Sequence, residues 1–108
     1  MKHLMVAVLA IVCLESWSDA SVYKGQKEYM KQCKKCHGSG TKLSQKFTMD
    51  EWRDFFANSG AKLIQIHQKD ANASKYFQSE RFKKKVKHLR QFFEKFAADS
   101  GNVPACSD

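Results

Sequence analysis

Cys33, Cys36 and His37 are the side chains in this sequence whose types and spacing could do chemistry together. In the run Cys33-Lys34-Lys35-Cys36-His37 two thiols stand three residues apart and an imidazole follows at once, the C-x-x-C-H pattern of covalent haem attachment. The thiols are near enough to form thioethers with the two vinyl groups of one haem. His37 can then swing under the ring and offer a nitrogen to the iron as proximal ligand. Two other readings of the pattern are a redox disulfide and half of a zinc site. A thioredoxin-like disulfide wants a βαβ setting and a zinc site wants a second ligand pair, and the sequence supplies neither.

Residues 1–20 read as an export signal. Lys2 and His3 make a short polar start, Leu4 to Leu14 is an apolar run, and Ser18-Asp19-Ala20 brings small residues to the cleavage positions. The run is too short to span a bilayer. Cleavage near Ala20 would place a mature domain of residues 21–108 in the periplasm. It would leave Cys33, Cys36 and Cys106, two of them used by haem, so no disulfide framework is expected. A domain this small gains from a covalently held apolar ring at its centre.

Losing Lys2, Glu15 and Asp19 leaves 18 basic against 9 acidic residues. Such a surface attracts acidic proteins or anionic lipid, and the exported location argues against nucleic acid. Lys83, Lys84, Lys85, Lys87 and Arg90 form the densest basic patch, a docking face for acidic redox donors and acceptors. Cys106 is the odd thiol. A monomer is expected, with a disulfide dimer through Cys106 left open.

The elements that must position the motif are helical, and strand signals are nearly absent. Val22 to Gln32 sets Val22, Tyr29 and Met30 around Gly25, with Lys24, Lys27 and Lys31 outward. Gly38-Ser39-Gly40-Thr41 reads as a loop. Thr48 and Glu51 form a capping box with Phe47 and Trp52 as its hydrophobic staple, opening a helix that runs to about Asn58, buries Trp52, Phe55 and Phe56, and stops at Ser59-Gly60. A short helix from Ala61 to Lys69 puts Leu63, Ile66 and His67 on one face. Asp70 to Lys75 reads as a polar loop. Ser79 caps the longest helix, with Phe82, Val86, Leu89, Phe93 and Phe96 in one stripe and Phe92 beside it, ended by Gly101 and Pro104.

With Gly25, Tyr29, Cys33, Cys36, His37 and Gly38 at the front and the aromatic stripe at the back, the mature chain resembles a small monohaem class I c-type cytochrome. The resemblance implies an all-α, cytochrome c-like small helical domain of about four helices around one covalently attached haem c. It also implies that Gly25 and Tyr29 meet Phe92, Phe93 or Phe96 where the first and last helices cross. The family takes its sixth iron ligand from a methionine just before the last helix, and this chain has no methionine after Met49. His67 is the favoured substitute, with His88 and Met49 as rivals and Asn58, Asn72 or a lysine as weaker ones. Two imidazoles would set a lower potential than a His/Met pair.

The expected function is periplasmic transfer of one electron on a c-type haem, with no group arranged for substrate chemistry. The alternative is a haem-based binder or sensor of NO, CO or O₂ at an open iron. A docked module of a larger respiratory enzyme is a third reading.

Overall fold

The computed structural model describes residues 20–103, and among them there are six helical segments and no strand. The stretch up to Asp19 read as an export signal, Pro104 and Cys106 lie outside the described residues. Helix α1 covers residues 20–32, α2 Lys34–His37, α3 Gly40–Ser44, α4 Met49–Ile66, α5 Ala71–Phe77 and α6 Glu80–Lys95. The all-α expectation holds, with more helices than the four expected. None of the described helices is long and apolar enough to cross a membrane.

Helix α6 is the one around which the others pack. Phe82, Leu89, Phe92 and Phe93 are buried along it, and Phe96 closes its end. Its opposite face carries lysines, so burial of one aromatic stripe supplies the drive for the helix. Phe92 is fully buried and belongs to the stripe itself, because α1 covers the side on which it projects.

The crossing of α1 over α6 depends on Gly25. A Cβ at this position would overlap the carbonyl oxygen of His88 outright and lie 2.6 Å from its carbon and 2.9 Å from Phe92 Cβ. One turn further along, the Tyr29 ring sits 5.8 Å from Phe92 and 5.5 Å from Phe93. Met30, expected inward, is 45% exposed. Glu28, one residue before Tyr29, takes the inward position instead.

Helix α4 begins at the capping box read from the sequence. Thr48 Oγ1 accepts from Glu51 N–H at 3.2 Å, and Thr48 N–H donates to the Glu51 carboxylate at 3.1 Å. The staple forms too, Phe47 and Trp52 meeting edge to face at 5.1 Å. The helix breaks where Ser59-Gly60 was expected to stop it. Asn58, Ser59 and Gly60 all have left-handed backbone angles, which costs about 1–2 kcal/mol for each non-glycine residue. Gly60 is needed for a second reason, since a Cβ there would lie 2.9 Å from the Phe82 ring. Trp52 and Phe56 are buried while Phe55 is half-buried.

Two stretches expected as loops are helical. Ser39 caps α3, its hydroxyl accepting from Lys42 N–H, so Gly40 and Thr41 lie inside a helix. Asp70 caps α5, accepting from Ala73 N–H at 2.9 Å, and carries Ala71 to Lys75 into helix. Conversely, α4 ends at Ile66 rather than Lys69, and Ile66 is 57% exposed while Leu63 is buried. The last helix stops at Lys95, with Phe96 as its cap, well before Gly101.

Candidate functional site

The motif begins where α1 ends. Cys33 N–H donates to the Tyr29 carbonyl at 2.8 Å, continuing α1 into the motif, and α2 then carries Lys34 to His37. Gly38 has φ +73° and ψ −147°, a region that essentially only glycine occupies, so the chain can reverse immediately after His37. The buried Tyr29 hydroxyl donates to the Gly38 carbonyl at 2.8 Å. This bond fastens the reversal to the α1–α6 core and thereby fixes where His37 stands.

His67 reaches the same place from the other side of the sequence. It is the C-cap of α4, and its ring is packed 4.5 Å from Phe77. His67 Nδ1 lies 2.7 Å from the Leu63 carbonyl. A carbonyl can only accept, so Nδ1 carries a proton. A ligating histidine is commonly held in this way by a backbone carbonyl, and so is a core histidine at the end of its own helix.

The rings of His37 and His67 are 6.0 Å apart, centroid to centroid, at an interplanar angle of 76°. Two imidazoles bonded to opposite sides of one iron at a metal–nitrogen distance of about 2 Å would have centroids roughly 6 Å apart. The separation of the two rings is of that same order. His37 is exposed, and the partial desolvation of its ring, then its neighbours His67 and Lys46, hold it below its ordinary value. A neutral ring is the form that can ligate.

The cysteines bear on the rival readings. Cys33 is half-buried against the core and Cys36 is exposed, and neither is in a disulfide. Burial, then the nearby Glu28 and Cys36, pushes the Cys33 thiol up to about 12. Disulfide-exchanging cysteines need the opposite, a thiol tuned toward neutrality. Among the described residues no three His, Cys, Asp or Glu side chains gather as a metal site. A tetrahedral zinc centre needs four such donors, whereas a haem brings four of its own and asks the chain for two.

The rival distal ligands are placed elsewhere. His88 is half-buried at the α1–α6 crossing, its Nδ1 2.7 Å from Ser21 Oγ, which also donates to Gln91 Oε1. Met49 opens α4, its N–H donating to Asp99 at 2.8 Å, and lines a concavity with Val22, Gln91 and Glu94. Asn58 lies in the left-handed turn, beside Lys87 and Arg90 in a second concavity of about 400 Å³. Asn72 is exposed on α5.

Comparison of the chain with family models, curated proteins and solved structures finds no match. The site is thus read from its own residues.

Of the basic patch, Lys83, Lys84, Lys87 and Arg90 are exposed and Lys85 is half-buried. Lys83 pairs with Glu80 at 3.0 Å, so part of its charge is already engaged.

Sequence reasoning missed a cluster centred on Glu28. Its carboxylate is buried and accepts from the Tyr76 hydroxyl at 2.6 Å and from Arg81 at 2.8 and 3.0 Å. Burial alone would raise Glu28, but these hydrogen bonds and the charges of Arg81 and Lys85 hold it below the usual carboxylate range. The signal was the helical spacing of Gly25, Glu28 and Tyr29, which puts Glu28 on the covered side of α1.

Proposed function

We propose that this chain is a small exported c-type cytochrome that carries one electron at a time between larger redox proteins. Cys33 and Cys36 hold a single haem, His37 is its proximal ligand and His67 its distal ligand. The observation that carries the reading is the meeting of His37 with His67 at 6.0 Å, in a chain whose C-x-x-C-H motif already supplies both thioether positions. The crossing of α1 on α6 through Gly25 and Tyr29 supports it further, being the packing that the family resemblance implies.

The haem supplies the one-electron couple of its iron. The residues of the chain do the rest. His37 and His67 would both hold the iron, which would favour electron transfer over gas binding. Two imidazoles place the couple lower than a His/Met pair would. The lysines of α6 offer acidic donors and acceptors an electrostatic landing face, which speeds encounter while keeping the complex short-lived.

Expression in a host that attaches haem outside its cytoplasm tests the attachment. The exported wild-type chain is expected to gain the mass of one haem, retained in acidified organic solvent, and the Cys33→Ser, Cys36→Ser double variant to gain none. A haem-free wild type under conditions that load other C-x-x-C-H proteins would sink the proposal.

A further inference from the structure

Glu28 is a carboxylate with 1% of its side chain exposed, while its partner Arg81 is 47% exposed. Water therefore screens the cation more than the anion, and the pair leaves a net negative potential on the protein side. On that side lies the C-x-x-C-H motif that α1 runs into. Glu28 stands five residues before Cys33 on the helix that runs into the motif, and its charge contributes to raising the Cys33 thiol. Its hydrogen-bond donor Tyr76 is 5.4 Å, ring to ring, from Phe77, and Phe77 is 4.5 Å from His67. The carboxylate is thus linked along α1 to Cys33 and through the Tyr76 and Phe77 rings to His67.

A clamp joining α1 to α5 and α6 does not require charge. Apolar side chains of similar size tie helices together as well as or better than a buried ion pair. The charge itself has a use only if something nearby responds to it.

We propose that Glu28 is a positioning residue for electrons: its buried negative charge stabilises the oxidised, more positive state of the iron and lowers the reduction potential of the haem. No atom is transferred. In the haem-loaded protein one electron would come from a donor and pass to an acceptor, and Glu28 would set how readily it leaves. The groups facing the carboxylate are the Tyr76 hydroxyl from α5, and Arg81 and the half-buried Lys85 from α6. This rests on the haem reading above.

Potentiometric titration of the haem-loaded protein at pH 8 tests it. Glu28→Gln keeps the shape and removes the charge. It is expected to shift the ferric–ferrous equilibrium toward ferrous about tenfold, a rise of 59 mV for one electron. Arg81→Gln removes the opposing charge and is expected to move the potential the other way. It also carries the test if the first variant does not accumulate. A Glu28→Gln potential within threefold of wild type, or two variants shifting in the same sense as a packing defect would, overturns the tuning role alone. A wild type that takes up no haem overturns the cytochrome reading and this inference with it.

Discussion

Alanine in place of Gly25 is expected to lower the thermal midpoint by roughly 12–24 °C, the equivalent of about 3 kcal/mol in a domain of this size. Two effects oppose each other at this position. Alanine is the better helix former by about 1 kcal/mol in a helix interior. Against that, its methyl would overlap the His88 carbonyl and press on Phe92 Cβ. The first of these is backbone in the middle of α6, which cannot rotate aside as a flexible side chain would. The clash therefore wins, and α1 must lift away from α6. Because Tyr29 hangs from the same helix and holds the Gly38 carbonyl, the lift also loosens His37. Circular dichroism melts of wild type and variant would check this, and an unchanged or higher midpoint would show that the two helices do not approach as described.

Trp52→Ala should cost about 3–5 kcal/mol, the range for truncating a large buried aromatic. The indole stacks on Phe93 at 4.1 Å and 18°, meets Phe47 edge to face, and is 4% exposed. Its Nε1–H donates to the Ser44 carbonyl at 2.8 Å. One side chain thus joins α4 to α6 and to the end of α3, and truncation leaves both a cavity and an unpaired buried acceptor. Phenylalanine would restore most of the packing but not the hydrogen bond, so it should fall between. Urea unfolding would resolve the two parts as midpoints moving at constant slope. A Trp52→Ala midpoint close to wild type would contradict this account of the core.

What the sequence made legible follows from how local each signal is. The capping box at Thr48 and Glu51 needs only four residues, and it formed as read. The break at Ser59 and Gly60 was visible because glycine there relieves a positive φ. Gly25 is placed at a close crossing by the family resemblance, since its position near the start of α1 suits an ordinary helix-start glycine equally well.

The misreadings occur where short polar stretches hide a cap. Asp70 before Ala-Asn-Ala is an N-cap in front of helix formers, yet the lack of apolar periodicity made it look like loop. Ser39 did the same between two glycines. Ile66 and His67 shared a face only while the helix continued. Once α4 ends at Ile66, the isoleucine turns to solvent and His67 keeps its inward position through its bond to Leu63. Glu28 escaped notice because a charged residue is rarely fully buried, and its partners come from two helices more than forty residues away.

For the proposed site, Cys33, Cys36 and His37 stand out as a motif. His67 is favoured from the sequence only by elimination. Its carbonyl bond and its approach to His37 depend on where α4 ends and how Phe77 packs, neither of which spacing alone can give.

The most direct test of the account is low-temperature electron paramagnetic resonance of the oxidised, haem-loaded protein beside His67→Ala. The wild type should be low-spin, as two imidazoles require, and the variant should turn high-spin. A high-spin wild type would contradict the paired histidines and move the function toward gas binding, and a variant that stays low-spin would show that His67 is not the ligand.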